Sequence, residues 1–105
     1  MTETELLENV IDLAQWRGWM VHHCRPARTE KGWRTAIQGT AGFPDLVLAR
    51  NGMAIFAELK GEKGKLTNEQ LNWLVNLDLH LPRCENAYLW FPKDWRDGTI
   101  DRVLR

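Results

Sequence analysis

The dipeptide Asn51-Gly52 lies between two apolar runs and constrains the fold of this chain more than any other feature. Asn-Gly favours a two-residue hairpin turn, in which both central residues take positive φ angles. The runs at 46–49 and 53–60 are therefore predicted to be antiparallel strands. A regular turn pairs residues at equal distances from its centre, so Asp45 is expected opposite Glu58.

This predicted hairpin gathers groups with a definite chemistry. Asp45 follows Gly42-Phe43-Pro44, and Glu58-Leu59-Lys60 closes the returning strand. Because strand side chains alternate, Glu58 and Lys60 share one face. Carboxylates suit a hard cation such as Mg²⁺, and the backbone carbonyl of Leu59 is a further candidate ligand. Lys60 is expected to orient or help deprotonate a water, or to stabilise developing charge. The pattern indicates metal-dependent phosphodiester hydrolysis.

The rest of the chain supplies two helices around such a sheet. Helical spacing of apolar residues predicts a helix over 3–17, capped by Thr2 or Thr4 and ended near Gly18. A strand is expected over 19–24, followed by a polar connection over 25–41. A capping box at 67–70 starts a second helix that runs to about 80. A strand over 87–91 ends at Pro92, and 100–104 forms a short closing element, for which helix is favoured over strand. The order predicts an α/β or α+β sandwich.

Two helix starts offer further site residues. Glu3 lies three and four residues before Leu6 and Leu7, so it is expected on the apolar stripe, facing the core as a metal ligand. Glu5 is the alternative ligand. Gln70 has two interpretations, as the capping-box partner or as a polar contact near the metal or phosphate, and the two are compatible.

Composition limits the class of protein. The chain has 105 residues, which fits one domain over 1–105, and 44% hydrophobic with 27% charged residues favours a globular protein over disorder. The two cysteines form no CxxC pair, so free thiols are expected and no zinc site. No apolar stretch approaches the ~20 residues of a membrane span. There is no signal-peptide pattern, so a cytoplasmic protein is expected.

The formal net charge is zero, so overall charge does not indicate a nucleic-acid partner. Basic residues nevertheless cluster between 17 and 34, and chance clustering is the alternative explanation. Trp33 lies in that segment and is a candidate for stacking on an unpaired base, for a dimer interface or for a loop anchor. Trp16, Trp73 and Trp90 are expected in the core. The candidate nucleic-acid contacts are Arg25, Arg28, Lys31, Trp33, Arg34, Lys63 and Lys65.

With these residues in place, the chain resembles the VRR-NUC branch of the PD-(D/E)XK nuclease superfamily. The resemblance rests on 42–45, on 58–60, on Gln70 opening a helix, on the glutamate-bearing first helix and on 88–92. It implies a restriction-endonuclease-like αβββαβ core, a mixed central sheet flanked by helices, and Mg²⁺- or Mn²⁺-dependent DNA cleavage. It also implies branched substrates such as Holliday junctions or flaps, roles in replication, recombination or repair, and a bacterial or phage origin. Stand-alone members resemble dimeric junction resolvases, so a homodimer is expected.

Two other functions stay open from the sequence. The chain could be a non-catalytic nucleic-acid-binding accessory module, or a nuclease acting on single strands or RNA. The intact set of Asp45, Glu58 and Lys60 favours catalysis over the first, and no residue decides between DNA and RNA.

Overall fold

The computed structural model describes residues 1–24, 27–29, 32–34, 38–78 and 86–105, with backbone alone at 27–29 and 32–34. Four helices and six strands are present in this part of the chain. In chain order they are α1 (Glu3–Trp16), β1 (Met20–His23), β2 (Ala27–Thr29), β3 (Gly32–Arg34), β4 (Leu46–Arg50), β5 (Met53–Leu59), α2 (Asn68–Asp78), β6 (Ala87–Trp90), α3 (Pro92–Arg96) and α4 (Thr99–Leu104).

The central sheet has four strands in the order β1-β4-β5-β6. β4 runs antiparallel to both β1 and β5, whereas β5 and β6 are parallel. The parallel pair is joined through α2, as parallel neighbours require a crossover connection. The mixed sheet flanked by helices confirms the predicted fold class, and α1-β1-β4-β5-α2-β6 gives the expected αβββαβ order.

The hairpin between β4 and β5 has the predicted register. Asn51 and Gly52 take φ angles of 52° and 80°, the positive values of the expected turn. Leu46 pairs with Ala57, so one further step along the ladder sets Asp45 opposite Glu58. The turn sequence therefore determines which two carboxylates meet at the far end of the hairpin.

The hydrophobic core lies on one face of this sheet. Alternate residues of β4 and β5 point towards α1, and α3 and α4 close the same layer. Glu58 lies between Ala57 and Leu59 in β5, so alternation places its side chain on the opposite face. The core side chains are Leu6, Val10, Ala14, Trp19, Leu46, Leu48, Ile55, Ala57, Leu59, Trp90, Ile100 and Leu104.

Arg50 fastens the end of the chain to the sheet. Its guanidinium lies 4.2 Å from the Trp19 ring centroid and donates to the carbonyl oxygens of Arg17 at 3.0 Å and Arg105 at 2.7 Å. The Trp19 indole N–H donates to the Leu104 carbonyl at 3.0 Å. These bonds satisfy carbonyls at the end of α4, which would otherwise lack partners.

The expectations for the 25–41 connection and for Trp16 are wrong. The connection over 25–41 contains β2 and β3, a separate antiparallel pair whose short sequences lack an apolar alternation. Pro92 follows the end of β6 as expected, and it also opens the unpredicted helix α3, because proline suits the first helical position. Trp90 is buried as expected and Trp73 is partly buried, but Trp16 is 82% exposed, since it falls off the stripe of α1 that carries Leu6 and Val10.

No helix in the described part of the chain is both long and apolar enough to cross a membrane.

Candidate active site

Asp45 and Glu58 meet where the hairpin opens. Asp45 precedes β4, and its Oδ2 accepts a hydrogen bond of 2.9 Å from the backbone N–H of Leu59. This bond ties the carboxylate to the end of β5. The register then holds the Asp45 and Glu58 side chains side by side on the same face of the sheet.

Glu58 is a buried carboxyl with an unsatisfied atom. Its side chain is 2% exposed, and Oε1 has no hydrogen-bond partner among the described residues. Loss of solvation raises the pKa of Glu58 to about 8, and its hydrogen bond and charge repulsion with Asp45 add to that shift. The charge of Lys60 and a backbone hydrogen bond from Asp45 act in the opposite direction. Without a cation, the Glu58 carboxyl is therefore largely protonated at neutral pH.

Lys60 completes the group. Its Nζ lies 3.8 Å from Oε2 of Glu58, and its side chain is 13% exposed. The backbone N–H of Lys60 donates to the carbonyl of Trp90 at 3.0 Å, which anchors the residue to β6. Gly64 packs on the Lys60 side chain so closely that a Cβ there would lie 2.9 Å from the Lys60 Cβ. The ammonium is thus positioned by β6 and by the loop before α2.

Gly42 brings α2 to the same place. It has a φ of 99°, and a Cβ built on it would lie 2.6 Å from the backbone carbonyl carbon of Glu69. Next to it, the Phe43 ring makes edge contacts with Phe56 at 6.0 Å and with Trp73 at 5.0 Å between centroids. The predicted Gly42-Phe43-Pro44-Asp45 segment therefore docks the first turns of α2 beside the carboxylates.

Gln70 acts as the helix cap. Its Oε1 accepts from the Thr67 N–H at 3.0 Å, and its own N–H donates to Thr67 Oγ1 at 3.2 Å. The predicted capping box is confirmed, and a catalytic role for Gln70 stays a prediction.

The first helix contributes less than expected. Glu5 is the capping-box partner of Thr2, accepting from its N–H at 2.9 Å. Glu3 is exposed, so the expectation that it faces the core is wrong; the first turn of α1 extends past the core, next to Gly61. Within the described ranges, no three His, Cys, Asp or Glu side chains are grouped closely enough to hold a metal ion. Metal ligation by Glu3, and by the Leu59 carbonyl, stays a prediction.

The predicted nucleic-acid contacts divide into three groups. Lys63 and Lys65 are exposed on the loop between Lys60 and α2. Arg28, Trp33 and Arg34 lie on β2 and β3, where Arg28 pairs with Trp33. Arg25 and Lys31 lie outside the described residues.

Sequence reasoning missed two basic residues beside this loop. Lys93 and Arg96 are exposed on α3, and Arg96 forms an ion pair of 2.7 Å with Glu62. Pro92 with Asp94 two residues later is a typical helix start, and would have indicated α3. The ion pair connects α3 to the lysine-bearing loop.

Comparison with protein families agrees with this geometry. The family model for the VRR-NUC domain matches residues 9–88, which is most of the chain and includes Asp45, Glu58, Lys60 and Gln70. The match begins after Glu3 and Glu5. No curated protein matches the chain at a significant level. The chain belongs to the VRR-NUC domain family, within the PD-(D/E)XK nuclease-like superfamily, and its family is one of nucleases.

Proposed function

We propose that this protein is a metal-dependent endonuclease that hydrolyses DNA phosphodiester bonds at the site formed by Asp45, Glu58 and Lys60. The observation that carries the proposal is the buried Glu58 carboxyl beside Asp45, with an oxygen that lacks a partner and an ammonium 3.8 Å away. A buried carboxyl of this kind lowers the free energy of unfolding, so a functional role is the expected reason for its presence. Strongly perturbed ionisable groups are concentrated at functional sites for this reason.

The donor set fits a divalent cation. Oε1 of Glu58 has no hydrogen-bond partner among the described residues, and Asp45 accepts from the Leu59 N–H through Oδ2. Both offer hard oxygen ligands of the type that Mg²⁺ or Mn²⁺ takes in nuclease sites. The Leu59 carbonyl and Glu3 are the further candidates. When bound, such a cation polarises the phosphate and lowers the pKa of a water.

The residues of the chain then have separate tasks. Asp45 is held in position by the end of β5, and Glu58 must be ionised to act as a ligand. Lys60 places positive charge at the phosphate and orients the attacking water, because its ammonium is fixed on the same face as both carboxylates. In hydrolysis, the water oxygen forms a bond to phosphorus, the bond to the leaving oxygen breaks, and the leaving oxygen takes up a proton.

The substrate proposal is branched DNA, such as a Holliday junction or a flap, in replication, recombination or repair. Lys63 and Lys65, which are exposed on the loop after Lys60, would contact phosphates, and the basic segment at 25–34 would be a second contact region. A homodimer would present two sites to two strands. Binding through phosphates should weaken steeply as salt concentration rises.

A cleavage panel tests the proposal. Wild type is incubated with Mg²⁺ or Mn²⁺ on four-way junctions, flaps, splayed arms, duplex DNA, single strands and RNA. Asp45→Asn and Glu58→Gln should each abolish cutting, whereas the exposed controls Asp12→Asn and Glu8→Gln on α1 should cut as wild type does. Full Mn²⁺-dependent activity in either site variant would contradict the site, and a preference for RNA would contradict the substrate.

A further inference from the structure

A cavity of about 200 Å³ lies against α2, and its wall includes Trp73, whose ring contacts Phe43. Thr40, Asn72, Trp73 and Asn76 line it, and we refer to it as the α2 cavity. We propose that the α2 cavity binds one unpaired nucleobase of the DNA substrate. This inference rests on the proposed function, because it concerns how the same substrate is held.

The Trp73 ring has a fixed orientation. Its indole N–H donates to the Thr40 carbonyl at 3.2 Å, and its ring meets Phe43 edge-on at 5.0 Å. A hydrogen bond and a ring contact, both from the 40–43 segment, restrict how the ring can turn. A rigid aromatic face is the surface on which an unpaired base stacks with little loss of side-chain entropy.

Two amides stand beside that ring. Asn72 and Asn76 are four residues apart in α2, so they share one face of the helix. Asn76 Nδ2 donates to the Asn72 carbonyl at 2.7 Å, which uses one of its two N–H groups. This bond does not involve the second N–H or the Oδ1 of the Asn76 amide. Side-chain amides of asparagine match the paired donor and acceptor on the edge of a base such as adenine.

Charge and size select the occupant. None of the described residues that line the cavity is charged, so it offers no partner to a phosphate. At about 200 Å³ it is smaller than the pockets of ~300–1,000 Å³ that hold drug-sized ligands. A single neutral heterocycle with a polar edge satisfies both conditions.

Phe43 connects Trp73 in the cavity wall to the strand that carries Glu58. The Phe43 ring contacts Trp73 and Phe56, with centroid distances of 5.0 and 6.0 Å. Phe56 precedes Glu58 by two residues on the same face of β5, roughly 7 Å along the strand. These two centroid distances and the step along β5 give a path of at most roughly 18 Å from the Trp73 ring to Glu58. That length corresponds to about five nucleotides at the 3.4 Å rise of a DNA strand. A strand that runs directly from the bound base to the cut bond would therefore span about five nucleotides.

An abasic scan measured by binding tests this inference separately from cleavage. Dissociation constants are measured in EDTA for a junction or flap oligonucleotide, with one abasic site moved through five nucleotides on each side of the junction. Wild type should lose affinity about fivefold or more at one position, as expected for one lost stacked base. In Asn72→Ala/Asn76→Ala, intact DNA should bind more weakly, and the abasic site at that position should cost less than in wild type, because the stack on Trp73 remains but the amide contacts to the base are already lost.

Both asparagines are exposed, and alanine favours helix, so the double variant should fold; urea unfolding checks this. Gln15→Ala, an exposed amide on α1, is the matched control and should behave as wild type. Equal abasic penalties in wild type and the double variant, no penalty at any position, or no DNA binding in EDTA would each overturn the inference. If wild type does not cleave DNA but still binds one abasic position more weakly than the others, the result would count against the proposed nuclease function alone.

Discussion

Glu58→Gln should stabilise the metal-free protein while abolishing its activity. The Glu58 carboxyl has a pKa of about 8 in the fold against 4.5 ordinarily. The folded state therefore holds this proton more tightly than the unfolded state does. The stability contribution is complete below pH 4.5 and is lost as the pH rises to about 8.

The size of the effect follows from the same shift. At 1.36 kcal/mol per pH unit, moving this pKa from 4.5 to about 8 corresponds to on the order of 4 to 5 kcal/mol of stability lost above pH 8. A glutamine cannot ionise, so the variant avoids that loss. An amide left partly unpaired costs about 1–3 kcal/mol. The variant should thus be more stable than wild type by about 2 kcal/mol at pH 8.5.

Urea unfolding in EDTA at pH 5, 7 and 8.5 measures this. Wild type should lose unfolding free energy across the series, and Glu58→Gln should lack this component. Glu8→Gln, at an exposed position on α1, should follow wild type. Parallel pH profiles for wild type and Glu58→Gln would refute the reasoning, since they would show that Glu58 ionises normally in the fold.

Three further substitutions test how the site is held, each against a matched control. Gly42→Ala should destabilise the fold by roughly 2 kcal/mol more than Gly39→Ala in urea unfolding, because both have positive φ but a Cβ at Gly42 alone meets Glu69; equal losses would contradict the contact. Gly64→Ala should displace Lys60 and therefore reduce kcat with little change in KM. Gly61→Ala, whose Cβ would have contacts no closer than 3.7 Å, should leave kcat unchanged. Arg50→Ala should cost roughly 1–3 kcal/mol of unfolding free energy through the lost bonds to Trp19 and the last carbonyls, and Arg102→Ala should cost little; similar losses in the two variants would argue against the clamp.

Much of the hairpin and the capping box of α2 could be predicted from the sequence, because each depends on local geometry. The positive φ angles of Asn51 and Gly52 set the register, and the register set Asp45 opposite Glu58. The Thr67–Gln70 cap likewise needs only residues three apart. Elements with a weak or ambiguous pattern were not predicted. The sequences of β2 and β3 lack an apolar alternation, and Pro92 indicated the end of a strand without indicating the start of α3.

The sequence by itself thus determined the αβββαβ order, the VRR-NUC resemblance and the pairing of two carboxylates, since turn chemistry and side-chain alternation act over short distances. Only the tertiary structure decided that Glu58 is buried with an unpaired oxygen, that Gly64 presses on Lys60, and that Glu3 is exposed. The α2 cavity also depends on the tertiary structure, because it forms only when Thr40 and Trp73 come together from separate segments. Burial, pKa and cavities depend on what the rest of the chain packs around a residue, and local sequence does not specify that.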